Sequence, residues 1–321
     1  MAVSCSSQAQ LTDAERIDLL TAAKRFGGLV QAGNADAVKA AAVPTLVAQF
    51  GPIAGEISAV SSVAGPATLT VVNLFALDAS DLKEAEDETQ FFCGGPNSPE
   101  VIFSLPRIPP GKYALAILHA TGIAQPKQLT LILAQGDDLP QAPSGPGGPS
   151  GSSVWKLAGL FSRPLTVGGK DGLWYWVHAR SYAQARQNWN AYFYYEAAAS
   201  LLAPVNFLSS PNLDKLLKEQ SGSAPGGLPG PQPMVLSASG HTYSVTALST
   251  DGSLGGLDLV VSYVSPDNSD PVAARSRNFE VMQAILSQHP ELRQGFHGLW
   301  VYANAADQRA YANELPMSQI P

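Results

Sequence analysis

The sequence predicts an α+β protein, and three patterns carry the prediction. Region 11–60 spaces its apolar residues as a helix does, region 67–165 strings β-branched runs together with no helix between them, and region 234–321 sets one helix among about five strands. Strands that follow one another directly pair antiparallel, so helices and sheets segregate instead of alternating.

The chain has 321 residues, which at roughly 100–200 residues per domain gives two or three domains. The expected division is a tail or signal remnant at 1–10, an α+β domain at 11–165 and a helical hairpin with a capping helix at 166–220. A linker at 221–233 and a small α+β domain at 234–321 complete it. Gly and Pro number 29 and 25, so loops are plentiful. Charged residues make up only 14% and the net charge is −7, which excludes a basic nucleic-acid face and docking on anionic lipid through a basic patch. No apolar run reaches the roughly 18 residues of a membrane span.

In the first region, Thr12-Asp13-Ala14-Glu15 is a capping box, in which the hydroxyl satisfies an early backbone N–H and the carboxylate reaches back. Ile17, Leu20, Ala23, Lys24 and Gly27 follow at helical spacing, with Leu19, Phe26 and Val30 widening the apolar side. Gly33-Asn34 breaks this helix, and Asn34 caps another over 35–42. Pro44 starts a third over 45–57, interrupted at Gly51-Pro52. Strands are then expected at 68–72, 100–105, 112–119, 128–134 and 154–161, in a single antiparallel sheet. The acidic run Asp78, Asp81, Glu84, Glu86, Asp87 and Glu88 lacks the alternation and the Gly of a calcium loop, so it reads as a solvated turn. Segment 136–153 is too rich in Gly, Pro and Ser to pack and reads as a mobile excursion.

The run Val30-Gln31-Ala32-Gly33-Asn34-Ala35-Asp36-Ala37-Val38 and the strand Trp155-Lys156-Leu157-Ala158-Gly159 resemble the nuclear transport factor 2-like and cystatin-like folds across 11–165. That resemblance implies helices on an antiparallel sheet with a cone-like cavity. The turn Ile108-Pro109-Pro110-Gly111-Lys112-Tyr113 resembles transthyretin-like β-sandwich modules, which three leading helices do not suit. Region 172–204 resembles a tetratricopeptide repeat. Tyr175, Ala179 and Tyr182 fall where its first helix packs, and Ala191, Tyr195 and Ala198 where its second does. His178 stands where that family has Leu, and Pro204 comes one residue late. One repeat does not make a solenoid, so the expectation is a repeat-like hairpin. Its crowd of aromatic residues, from Trp174 to Tyr195, reads as a hub packed between two sheet-bearing domains, with Tyr182 and Tyr195 in the network that joins them. A capping helix follows, with Ser210 as its cap, Pro211 in its first turn and Gly222 past its end. In the last region, strands are expected at 234–239, 241–249, 256–265, 298–304 and 310–317. Asp270-Pro271 caps a helix that carries Val272, Phe279, Met282, Ile285 and Leu286.

Catalytic motifs are absent from the sequence. Gly252-Ser253-Leu254-Gly255 lacks the spacing of a nucleophile elbow, Gly168-Gly169-Lys170 stands alone, and no spacing of His, Glu or Cys matches a zinc site. No cofactor and no metal are therefore expected. Of five histidines, His178 reads as buried and hydrogen-bonded, and His289 as complementing a helix end. His241 and His297 open two strands of one domain, where Asp251 or Asp258 would allow acid–base chemistry or a metal. A site of His241, Asp258 and His297 is thus the catalytic alternative. Tyr113, His119 and Trp155 are the ligand-binding candidates, because an unbulged strand points Tyr113 and His119 to one side.

Two cysteines allow at most one disulfide, and their places, Cys5 in a tail and Cys93 beside Gly94-Gly95, do not favour a bridge. Met1-Ala2-Val3-Ser4-Cys5 resembles the lipobox of bacterial lipoproteins, and Ser7-Gln8-Ala9 the small-x-small end of a secretory signal, which implies a lipid anchor at Cys5 or secretion. The whole chain resembles exported bacterial proteins of uncharacterised function. The expectation is a non-catalytic protein, periplasmic or lipid-anchored in the envelope, that binds a protein or small ligand. The alternatives are a hydrolase-type enzyme and a purely structural envelope protein.

Overall fold

The computed structural model describes residues 3–95, 98–136 and 154–321, and its fold class is α+β. The expected excursion at 136–153 lies outside the described residues beyond Gly136. In chain order the elements are β1 (Ser4–Ser7), α1 (Asp13–Gln31), α2 (Ala35–Ala40), α3 (Pro44–Val47), α4 (Phe50–Ala64), β2 (Thr68–Asp78), β3 (Glu88–Gly95), β4 (Ser98–Pro106), β5 (Lys112–Thr121), β6 (Lys127–Gly136) and β7 (Val154–Pro164). There follow β8 (Thr166–Val167), β9 (Lys170–Asp171), α5 (Gly172–Gln184), α6 (Asn188–Leu202), β10 (Leu208–Ser209) and α7 (Pro211–Gly222). The last are β11 (Met234–Ala238), β12 (His241–Asp251), β13 (Asp258–Val264), α8 (Pro271–Gln288), α9 (Leu292–Gly295), β14 (Gly298–Asn304) and β15 (Tyr311–Pro316). They form two compact units: Met1–Leu165 with Ala203–Asp214, and Thr166–Leu202 with Lys215–Pro321.

The N-terminal unit has three layers. A five-stranded antiparallel sheet, ordered β1-β2-β5-β6-β7, carries helices on one face and a three-stranded sheet, ordered β10-β4-β3, on the other. The alternation of β5 builds both interfaces. Ala114, Ala116, Leu118 and Ala120 join the core with Phe26, Val30, Ile57 and Val60 of the helices. Leu115 and Ile117 join Phe91, Cys93, Phe103 and Leu105 of the smaller sheet. Alanines on the helix side bring α1 close. A Cβ on Gly27 would meet the Leu118 side chain at 2.7 Å. Each large side chain buried in these layers contributes about 1.5–3 kcal/mol.

α1 starts at the expected capping box: Thr12 N donates to Glu15 Oε2 at 2.9 Å and Glu15 N to Thr12 Oγ1 at 3.3 Å. Its buried stripe is Leu19, Ala22, Ala23, Phe26, Gly27 and Val30, while Ile17 is exposed. Leu19, Ala23, Phe26, Gly27 and Val30 of the expected apolar side are thus buried, and Ile17 at its edge is not. The break before α4 falls at Ala48-Gln49, not at Gly51-Pro52. Pro52 sits in the first turn of α4, where a missing N–H leaves no hydrogen bond unmade, so the helix runs on to Ala64.

The single expected sheet is the larger correction. Strand β4 is not part of it but pairs with β3 and β10. β3 and β1 were not foreseen, and the one disulfide joins them. Cys5 of β1 and Cys93 of β3 are bonded with their Cα atoms 4.9 Å apart, which staples an edge of one sheet to an edge of the other. Neither cysteine is free. In this structure the Cys5 sulfur is thus engaged with Cys93.

In the C-terminal unit the sheet runs β11-β12-β13-β14-β15, antiparallel except for β13 and β14, which are parallel and joined through α8. Leu259, Val261 and Tyr263 of β13 and Leu299, Val301 and Ala303 of β14 share one core with Val281, Met282 and Ile285 of α8. Val272, expected on that face, is 78% exposed beside Pro271, and Phe279 is only half-buried. Asn278 of α8 is fully buried and fully engaged, accepting from Tyr263 Oη at 2.9 Å and donating to Val301 O and to Asn313 Oδ1. The hairpin α5–α6 shares this core instead of standing as a separate piece: Tyr175, Ala179, Ala191, Tyr195 and Ala198 are buried in it. Segment 221–233 begins as the last two residues of α7 and continues as a loop of the same unit, with Leu228 against the core. Gly222 is the last residue of α7 and not its stop.

Arg180 of α5 and Glu219 of α7 pair through two hydrogen bonds of 2.8 Å, and Trp176 Nε1 donates to the same carboxylate at 2.7 Å. The hydrogen bond from Arg180 lowers the Glu219 pKa below 4.5. A depressed carboxylate stabilises the fold above the unfolded-state value, and that stability is lost as pH falls through the folded-state value. Glu219→Gln is expected to cost about 1 kcal/mol or less at neutral pH, since both side chains are partly solvated, and nothing in acid. Denaturant unfolding of both proteins at the two pH values checks this. An undiminished difference in acid would contradict the assignment.

Candidate functional site

Two of the three ligand-binding candidates meet. Register places Tyr113 of β5 opposite Leu77 of β2 and Ala134 of β6, and Gln135 of β6 opposite Trp155 of β7. Tyr113 and Trp155 thereby reach the same end of the five-stranded sheet. Together with α1 and β1 they line a cavity of about 320 Å³. Its polar lining includes Glu15 and Asp18 of α1, Asp78 at the end of β2 and Lys112 at the start of β5. Trp155 Nε1 donates to Asp18 Oδ2 at 2.8 Å, Arg25 donates to the Trp155 carbonyl at 2.8 Å, and Tyr113 Oη donates to Pro109 O at 2.8 Å. The aromatic walls are therefore held in place.

Three carboxylates and one ammonium make this cavity acidic. Burial raises the Asp78 pKa, but hydrogen bonds from Ser80 and the Lys112 charge outweigh it, and the carboxyl titrates below its ordinary value. Glu15 is held low by its hydrogen bonds with Thr12, with a smaller part from Lys112. Both are charged at neutral pH. Burial raises the Tyr113 phenol, which stays protonated.

His119 is not part of this cavity. It shares the side of Tyr113, as the strand period required, but six residues of β5 separate them by roughly 20 Å. Its Nε2 lies 3.2 Å from Gln128 Oε1 on β6.

The catalytic alternative is assembled in part. Asp258 opens β13, and its parallel partner Gly298 opens β14, so His297, one residue earlier, lies beside Asp258. His297 Nδ1 is 3.0 Å from Asp258 Oδ1. The backbone there is pinned, since His297 N donates to Leu257 O at 2.8 Å and Met317 N to His297 O at 2.9 Å. Glu314 of β15 completes the cluster. Burial raises the Asp258 pKa, His297 opposes this and the Asp251 charge adds to it, with a net rise. Burial and the Asp258 charge likewise raise Glu314.

His241 does not belong to the cluster. β12 is antiparallel to β13 and pairs its last residue, Asp251, with Asp258, so His241 lies ten residues away at the other end of the sheet, roughly 30 Å along the strand. There its Nδ1 is 3.0 Å from Glu280 Oε2, which also accepts from Tyr243. His178 is half-buried, with Nδ1 2.8 Å from Trp174 O and its ring stacked on Trp174. His289 caps the end of α8 and packs on Trp189, and burial lowers its pKa.

Sequence reasoning missed Glu314, Asp18 and Lys112 as site residues, and it read Asp78, which ends β2 and lines the cavity, as part of a solvated turn. An acid inside the expected strand 310–317 was the available signal for Glu314. Among the described residues no helix is long and apolar enough to cross a membrane. No protein-family model, curated protein or solved structure matches the chain.

Proposed function

We propose that this chain is a non-catalytic, exported protein of the bacterial envelope that binds a small ligand in its N-terminal cavity. The observation that carries the reading is the meeting of Tyr113 and Trp155 around a space of about 320 Å³, a size in the range of small-molecule sites. The excess of carboxylates over ammonium groups there favours a ligand with a cationic group, and the two rings suit its apolar part. Export is supported by the Cys5–Cys93 bridge, because disulfides persist in oxidising compartments.

Thermal unfolding with a panel of organic amines, neutral sugars and carboxylates tests this. Amines at millimolar concentration are expected to raise Tm, and the rise is expected to vanish in Asp78→Asn and Tyr113→Ala variants of unchanged circular dichroism. A panel without effect, or a rise that survives both substitutions, refutes it.

A second reading places hydrolase-type chemistry in the C-terminal unit. Its support is the half-exposed imidazole of His297 held by a fully buried carboxylate. Turnover of an ester, peptide or glycoside that is lost in His297→Ala would establish it over binding alone.

A further inference from the structure

Among the described residues, one group of three offers the donors of a metal site. One ligand atom from each of Asp258, His297 and Glu314 lies within 4.8 Å of the others. Two features distinguish the group from a solvated acidic patch. Asp258 has no accessible surface, yet its Oδ2 has no hydrogen-bond partner, and Glu314 Oε1 is also buried and unpartnered. A buried carboxylate oxygen without a donor is costly, and a bound cation removes that cost. The backbone is also cleared for the approach of these side chains. A Cβ on Gly298 would stand 2.5 Å from Glu314 Oε1 and 3.0 Å from Asp258 Oδ1. Only glycine leaves that space open.

We propose that Asp258, His297 and Glu314 bind a divalent first-row transition cation. Two carboxylate oxygens and one imidazole nitrogen suit Mn²⁺, Fe²⁺ or Zn²⁺ better than the all-oxygen shells of Ca²⁺. His297 Nδ1 and Asp258 Oδ1 are 3.0 Å apart, which matches neighbouring donors on an ion with bonds of about 2.1 Å. Glu314 closes the set by a side-chain rotation. Three protein donors leave room for water, and His297, with 46% of its side chain exposed, lies where water reaches it. The fold explains the convergence. Parallel β13 and β14 begin at the same end of the sheet, and β15 returns to that end antiparallel to β14.

The test uses the untagged full chain, stripped with chelator and titrated calorimetrically with ZnCl₂ and MnCl₂, with CaCl₂ as control. One transition ion per chain is expected, together with a rise in Tm. Affinity is expected to fall at least tenfold in His297→Ala and in Glu314→Gln and to be unchanged in His241→Ala. Glu314→Gln is also expected to match or exceed the wild-type Tm without metal, which keeps loss of binding distinct from loss of fold. No heat and no Tm change with either transition ion overturns the proposal. Affinities within twofold of wild type in both site variants overturn it as well. The N-terminal cavity is a separate site, so neither result bears on ligand binding there.

Discussion

Replacing Cys5 and Cys93 together by Ser is expected to lower the unfolding free energy by about 2–5 kcal/mol. The bridge spans 88 residues, and for a loop of that size the chain-entropy argument alone gives about 4.6 kcal/mol. The staple also sets the spacing between the β1 edge of one sheet and the β3 edge of the other, with Cys93 itself fully buried between them. Denaturant unfolding with and without reductant measures the effect, and the doubly substituted protein is expected to be indifferent to reductant. A loss below about 1 kcal/mol would mean that the bridge is not formed. Intact mass of the product from its native host adds an independent check. The expected mass is that of an unlipidated chain, lighter than the reduced form by the two thiol hydrogens.

Tyr195→Ala is expected to cost about 3–5 kcal/mol, the range for deleting a large buried aromatic side chain. Tyr195 is 2% exposed in the core that α6 shares with the C-terminal sheet. Tyr182, expected to be its equal, is half-exposed, and its hydroxyl donates to Gln294 O at 3.2 Å. Tyr182→Ala is therefore expected to cost clearly less. Equal losses in denaturant unfolding, or a loss below about 1 kcal/mol for Tyr195, would contradict this account of the hairpin.

Local chemistry made much of this fold legible. The Thr12–Glu15 box, the Asn34 cap and the Asp270-Pro271 start of α8 depend on residues a few positions apart, and each lies where the sequence places it. The five C-terminal strands were visible from equally local signals, strand-forming runs bounded by turn residues. What the sequence hid is pairing. Thr89, Phe91 and Cys93 alternate as a strand should, but the acidic run before them and Gly94-Gly95 after them carry turn chemistry. Nothing local says that β4 leaves the main sheet for β3. The candidate site divides along the same line. Asp258 and His297 were linked because both stand where strands begin, and parallel pairing brings those beginnings together. His241 also begins a strand, but its strand is antiparallel to β13, which sends it to the far end. Glu314 required the register of β14 with β15, in which it faces Trp300, and a single sequence does not contain that number. Tyr113 and Trp155 belong to different faces of the sheet and meet only at its end, beyond the reach of any strand-period argument.

The path of the chain sets an order for its making. β10, the third strand of the smaller N-terminal sheet, lies at Leu208–Ser209, after the whole α5–α6 hairpin. A growing chain cannot finish its first unit until that strand has left the ribosome, and by then the hairpin is already out. The hairpin's own partners, from Met234 onward, are still to be made. Through that interval Trp189, Phe193, Tyr194 and Tyr195 lack the strands that cover them, and β4 lacks its outer neighbour until β10 arrives. Synthesis of this protein thus passes through a stage in which these side chains are uncovered, and a nascent chain stalled after Leu202 and before Met234 would hold them in that state.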